Sequence, residues 1–217
     1  MEHPYQLILL ALSWLVYFAI HSLLASLWMK GGVATRWPRA MGIYRLGFNV
    51  VAVLLLLPPL WLTLTWPGPW LWRWEGWAFY GANGLAAAAA GLFLWSLRYY
   101  DGAEFLGTRQ LRDGAEGIED QESLKISPLH RYVRHPWYTL GLVILWTRDM
   151  DAAMLLGAVV ITAYFVVGSR LEERKLRVYH GRAYEEFMRR VPGLVPRPWR
   201  RLSRDEAARL EAMGRDG

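Results

Sequence analysis

The 217-residue chain contains no cysteine. That excludes disulfide staples, thiolate metal sites, a cysteine nucleophile and any route through an enzyme thioester. It also lacks a recognisable cleavable leader: the first apolar block has neither a basic n-region nor an A-x-A site, so the first helix is expected to remain as an anchor. No internal repeat or nucleotide-binding glycine loop is present, because Gly81, Gly84 and Gly91 lie in an apolar segment with no strand before them. Charge is sparse at 20% of residues, while AVILMFWYC make up 54% and tryptophan alone contributes 13.

The apolar residues fall in blocks. Residues 5–28, 43–66, 77–97 and 152–169 can each cross most of a hydrocarbon core about 30 Å thick at 1.5 Å per residue. A fifth block, Pro136 to Thr147, is too short to do so alone, and must be extended upstream or enter the membrane partly unwound. The pattern predicts an all-α integral membrane protein of about five transmembrane helices, including a helical hairpin and followed by a C-terminal cytosolic amphipathic helix. Expected boundaries are 1–123 for the N-terminal helices and polar loop, 124–198 for a hairpin-containing core, and 199–217 for a charged tail.

The net charge of +6 and pI near 9.7 have a membrane explanation. With five crossings and the N-terminus outside, all 25 basic residues except Arg73 and Arg148 fall on the inner side. This predicts an inner-membrane protein, N-terminus out and C-terminus cytosolic. Seven acids between Asp101 and Glu122 make the long loop mixed in charge, which argues against a nucleic-acid partner. The loop, residues 98–133, is long enough to act as a lid. The stretch Trp66 to Trp77 reads as a turn-rich aromatic belt, Pro58-Pro59 as a helix kink, and residues beyond Arg200 as a solvated helix or disorder.

Two ionisable clusters flank the last hairpin: Arg134-His135-Pro136-Trp137-Tyr138 and Glu172-Glu173-Arg174-Lys175-Leu176. The turn Arg148-Asp149-Met150-Asp151 is short, so antiparallel helices return Glu172 and Glu173 to the side where Arg134 and His135 entered. Pro136 suits a helix start with free N–H groups, Arg134 offers a fork for a carboxylate, His135 a donor or acceptor, and Tyr138 or Trp137 a face for stacking. Carboxylates opposite can hold a cation or a ribose. The set fits a zwitterionic cofactor carrying an adenine, a ribose, a carboxylate and a positive sulfur. Blander readings stand beside it. Arg134 and His135 can snorkel, Glu172 and Glu173 can form an exposed ion-paired helix face with Arg174 and Lys175, and Tyr184 and Phe187 can simply pack. His21 is either functional or satisfied by another helix, and Asn49 and Asn83 read as interhelical hydrogen-bond glue.

These elements resemble the membrane methyltransferases related to isoprenylcysteine carboxyl methyltransferase. The likeness runs over about residues 124–198: RHP-x-Y at 134–138, an apolar hairpin, EE-x-x-L at 172–176, then Gly181, Tyr184, Phe187, Val191-Pro192 and Pro196. A wider likeness to the bacterial methanethiol S-methyltransferase branch rests on His21 to Ser26, Tyr44-Arg45 with Asn49, Phe105-Leu106-Gly107 with Gln110, and Trp146 with Met150. The chain departs from the pattern at His180, Leu140 and Pro128. The resemblance implies S-adenosylmethionine as cofactor, contacted by Arg134, His135, Pro136, Tyr138, Glu172, Gly181 and Tyr184 with Glu173 beside them, and no metal. The methyl acceptor would be a small or lipophilic thiol, or an isoprenylcysteine-like molecule, reaching the site from the bilayer. Transfer would be direct in-line displacement, with Glu172, Arg134 and His135 as catalytic candidates and one of Glu172, Glu173 or His135 taking a thiol proton. Two other classes fit less well. One is an NADPH-dependent reductase resembling the sterol reductases, whose Arg-Asp-Glu and cysteine are missing here; the other is a non-catalytic membrane scaffold.

Overall fold

A computed structural model describes residues 5–113, 124–197 and 199–214. Residues 114–123 of the long polar loop, Pro198 and the last three residues lie outside the described residues. The chain is an all-α membrane protein with one minimal two-stranded ladder. Among the described residues, four helices are long and apolar enough to cross a membrane: Tyr5–Ala25 (α1), Met41–Thr65 (α3) with its leading turn Pro38–Ala40, Gly76–Ser96 (α4) running on to Tyr99, and the apolar part of Ala152–Arg190 (α8). A 21-residue helix rises about 31 Å, and large apolar side chains such as Ile8, Leu64, Leu85 and Leu94 point outward, as lipid rather than water requires. The short block forms an 11-residue helix, Pro136–Trp146 (α7), that starts at Pro136 with His135 as its N-cap; it is not extended upstream.

The described chain divides into two compact units. The first takes its residues from 1–75, 100–118 and 148–161. Within it, α1 ends at Ala25 rather than running to residue 28, because Ser26 turns extended and caps the next helix, Leu27–Arg36 (α2), accepting from Met29 N at 3.2 Å. The α3 helix packs on α1 and continues through Pro58-Pro59. Two short helices, Gly102–Leu106 (α5) and Thr108–Asp113 (α6), follow an Asp101 N-cap. Between them Gly107 takes φ +87°, and a Cβ there would stand 2.6 Å from Leu46 N, so only glycine lets α5 rest on the α3 backbone. Arg45 Nε donates to Phe105 O at 3.2 Å, and Asn49 Nδ2 donates to Phe105 O and Leu106 O at 3.0 and 3.1 Å, satisfying the carbonyls at the end of α5. Asn83, in contrast, donates within its own helix to Phe79 O.

The aromatic belt is more ordered than its turn residues predict. Trp70–Trp72 (β1) pairs antiparallel with Met150–Asp151 (β2), Trp70 opposite Asp151 and Trp72 opposite Met150. The guanidinium of Arg73 lies 3.8 Å from the Trp70 ring centroid, and Trp74 Nε1 donates to Arg148 O. Asp151 then caps α8, accepting from Ala153 N and Met154 N at 2.8 and 2.9 Å.

The second unit takes its residues from 76–99, 119–147 and 162–217. Here α4 packs on α7: Trp137 stands edge-on to Phe93 and donates from Nε1 to Ser96 Oγ at 2.8 Å. The helical segment expected after the last crossing begins as a direct continuation of α8 and is divided at Gly181 (φ 46°, ψ −126°), where a kink separates it from a second helical stretch ending at Arg190. The tail is not merely solvated either. Arg204–Met213 (α9) opens with a capping box between Ser203 and Glu206 and buries Ala207 and Leu210 against Leu124, Ile126, Tyr184, Phe187 and Leu202.

Candidate active site at the end of the hairpin

Arg134, His135, Glu172 and Glu173 lie in the second unit, and α7 and the C-terminal part of α8 bring them together. The hairpin is antiparallel: Trp146 Nε1 donates to Thr162 Oγ1 at 3.0 Å, Tyr138 stacks on Phe165, and His135 reaches Glu173. A loop from the far end of α8 seals the arrangement. Arg134 N and His135 N donate to Pro192 O and Gly193 O at 2.8 and 3.2 Å, and Thr139 Oγ1 donates to Leu194 O at 2.6 Å. The sequence marks Val191-Pro192 and Pro196 as a motif, yet the carbonyls of 192–194 receive these bonds, and nothing in side-chain chemistry signals that. Thr139 carries no sequence signal for the same reason.

The guanidinium of Arg134 is consumed within the protein. Nε and Nη2 donate to Glu173 Oε1 at 2.8 and 2.7 Å, and Nη1 donates to the carbonyls of Met188 and Val191. Glu173 also meets His135 Nε2 at 3.0 Å, and its side chain is only 11% exposed. It is therefore a buried pair reaching 39 residues back, not an exposed helix face paired with Arg174 or Lys175. Glu172, one step on, differs. Its Oε2 accepts from Tyr138 OH at 3.2 Å and lies 3.5 Å from His135 Nδ1, while its side chain stays 40% exposed. One helix position, a rotation of about 100°, separates a saturated carboxylate from an accessible one.

His135 sits between the two acids, and its ring is near-parallel to that of Tyr138, 5.4 Å away; Tyr138 in turn stacks on Phe165 at 4.5 Å. Burial pushes the imidazole's proton affinity down. The hydrogen bonds and negative charge of Glu172 and Glu173 outweigh it, and the pKa rises above the ordinary 6.5. His130, held to Ser127 Oγ at 2.9 Å, goes the other way: burial, then the neighbouring His135, lower it to about 4 against the pull of Glu172.

The other residues predicted for the site are placed as follows. Pro136 is buried at the first position of α7, where its missing N–H costs nothing. Gly181 makes the break in α8, and its positive φ is one that side-chain-bearing residues rarely adopt. Tyr184 lies in the apolar core against Phe187, with Arg134, Glu173 and Glu172 within electrostatic reach of its hydroxyl. His180 beside the break is buried. A cleft of about 290 Å³ opens beside the Arg134–Glu173 pair, lined on one side by Val166, Ser169, Arg170 and Glu173 of one α8 face, and on the other by Pro192 to Val195 and Arg197. Neither Arg170 nor Arg197 carries a distinguishing signal in the sequence, since both are ordinary members of a basic stretch.

Comparison with known proteins finds no matching family model and no matching solved structure. Curated relatives do match. Over 203 residues the chain is 32% identical to methanethiol S-methyltransferase 2 of Bradyrhizobium diazoefficiens, covering 91% of this chain and 76% of that protein. It is 41% identical over 73 residues to methanethiol S-methyltransferase of Crocosphaera subtropica, covering 33% of this chain and 29% of that protein. A Mycobacterium tuberculosis protein of the same name is 40% identical over 73 residues, covering 33% and 30%. A match of that extent to the Bradyrhizobium protein, in an all-helical membrane chain, places this chain in the methanethiol S-methyltransferase family of membrane methyltransferases.

Proposed function

We propose that the chain transfers a methyl group from S-adenosylmethionine to a small or lipophilic thiol at the inner face of the membrane. The observation that carries this reading is the asymmetry of the two glutamates: Glu173 is spent on Arg134 and His135, while Glu172 remains 40% exposed beside them. The names of the relatives supply the reaction class and point to a thiol.

The residues fit such a cofactor in donor chemistry. Glu172 would hold a cation and the basic cleft a carboxylate, while the polar tip of Tyr138 is oriented by Glu172. At about 290 Å³ the cleft stands at the lower edge of small-molecule sites, which run about 300–1,000 Å³, so it takes one end of the molecule rather than the whole. When bound, S-adenosylmethionine supplies an electrophilic methyl on a sulfonium. The chain's part is orientation, exclusion of water and handling of one proton. Glu172 is the group placed to receive the proton as the thiol becomes the nucleophile. His135, its proton affinity raised by the two carboxylates, bridges them and fixes the Glu172 oxygen. Arg134 and Glu173 are positioning residues that fix His135 and the 191–194 loop.

The test is transfer of labelled methyl from S-adenosylmethionine to a panel of thiols, prenylated cysteines and lipid amines by the purified full chain. Label in the thioether supports the reading; no transfer to any acceptor, or NADPH consumption instead, overturns it. The proposed orientation is checked by single cysteines at positions 73 and 200. In a cysteine-free chain, an impermeant thiol reagent should label the first from outside and the second only after permeabilisation.

A further inference from the structure

The cleft beside the ion pair carries more positive charge than the protein itself answers. Three of its lining residues are arginines, and one is a carboxylate. Arg134 and Glu173 cancel one another in a buried, hydrogen-bonded pair. Arg170 and Arg197 are left over: both are exposed, and neither side chain has an ion-pair or hydrogen-bond partner among the described residues. Arg170 stands on α8 one turn before Glu173, on the face that Val166 and Ser169 share, and Arg197 comes from the loop that forms the opposite wall. Gly193 belongs to the same lining, and a Cβ there would already be 3.4 Å from Arg134 Nη2, so the absence of a side chain keeps this part of the cleft clear. Two guanidinium groups from opposite walls of one small cleft are suited to a single anionic group with two oxygens.

We propose that Arg170 and Arg197 form the receptor for the α-carboxylate of the methyl donor, so that the amino-acid end of S-adenosylmethionine enters this cleft. The proposal rests on the methyltransferase reading above and specifies which end of the cofactor goes where. A carboxylate is the only anionic group on that molecule, whose sulfonium and ammonium are otherwise positive. Two unanswered arginines therefore attract the carboxylate and disfavour placing the sulfonium in the same cleft, which makes them an orientation device as well as an anchor.

Decarboxylated S-adenosylmethionine, identical except for the missing carboxylate, isolates this interaction. Binding of both molecules is measured by titration calorimetry on the full chain in nanodiscs of zwitterionic lipid, for wild type, Arg170→Gln/Arg197→Gln and Arg170→Lys/Arg197→Lys. Wild type should prefer the carboxylated ligand by about tenfold or more, as one charge-assisted contact supplies. The glutamine pair should bring the ratio within about twofold by weakening S-adenosylmethionine alone, and the lysine pair should restore part of it. Melting temperatures should stay at the wild-type value, because neither side chain has a protein partner to lose. Equal weakening of both ligands, or an undiminished ratio, overturns the assignment. The same holds if the ratio persists while the glutamine pair loses a stabilisation conferred by phosphatidylglycerol discs, which would assign the arginines to a lipid phosphate. If wild type binds neither ligand, the methyltransferase reading and this assignment fall together, a result distinct from those above, in which the donor binds and only the carboxylate receptor is overturned.

Discussion

The chain carries two sets of motif residues, and they are built in opposite ways. In the first unit, Arg45, Asn49 and Gly107 act on backbone: two side chains satisfy the carbonyls of Phe105 and Leu106, and a missing Cβ lets α5 touch α3. In the second unit, Arg134, His135, Glu172 and Glu173 act on one another, and one carboxylate is left accessible. A motif whose side chains satisfy backbone carbonyls is a docking device. One that leaves an acid open beside an imidazole has chemistry to spare. Substitutions that separate stability from turnover test this distinction directly.

The largest expected effect is on turnover. Glu172→Gln should lower methyl transfer about 10²–10⁴-fold, the usual share of a general base, while the melting temperature in detergent shifts little because the side chain is partly exposed. Full turnover in that variant would remove Glu172 from the reaction. Next comes Arg134→Met, which strands Glu173 in a site where it is 11% exposed. Breaking one partner of a buried pair costs about 3–5 kcal/mol, read as a lower denaturation midpoint. Adding Glu173→Gln should recover part of it; no recovery would mean that the bonds from Nη1 to Met188 and Val191, not the ion pair, dominate.

How much of this could be read in advance depends on whether the cause is local. The crossings were legible because lipid demands long apolar runs, and the meeting of Arg134-His135 with Glu172-Glu173 followed from a short turn between two such runs. The unequal fates of Glu172 and Glu173 were not, because helix phase decides them and neighbouring residues look alike in sequence. The β1–β2 ladder was hidden because its strands are two or three residues long and its pairing spans about 80 positions. A helix was one reading of the tail, but the docking of α9 was hidden because Ala207 and Leu210, two small apolar footholds in a charged stretch, carry almost no periodic signal; what anchors them is the core formed by Tyr184, Phe187 and Leu202.

In the first unit the effects should be smaller and confined to stability. Gly107→Ala combines a positive φ with a Cβ at 2.6 Å from Leu46 N, so α5 must leave α3; the strain alone costs about 1–3 kcal/mol. Asn49→Ala removes donors to two carbonyls and should cost about 1 kcal/mol. Both variants should keep the wild-type affinity for S-adenosylhomocysteine. A loss of affinity without a loss of stability in Asn49→Ala would show that this set touches ligand after all.

The smallest expected effect is a slope. His135 binds its proton more tightly in the fold than in the unfolded chain, so its contribution is complete below the ordinary value of 6.5 and fades as pH climbs through the raised folded value. His130 is lowered to about 4, so the unfolded chain holds the extra proton between about 4 and 6.5, and stability there rises with pH. The two histidines thus tilt the melting profile in opposite directions on either side of 6.5. Subtracting the profile of His135→Gln from wild type should leave a difference that shrinks only above that value, and the same subtraction with His130→Gln a difference that changes only below it. A His135→Gln difference that is flat from pH 6 to 9 would mean that the imidazole between Glu172 and Glu173 carries no proton it would not carry in water, and the bridging role assigned to it beside the accessible carboxylate would have to be redrawn.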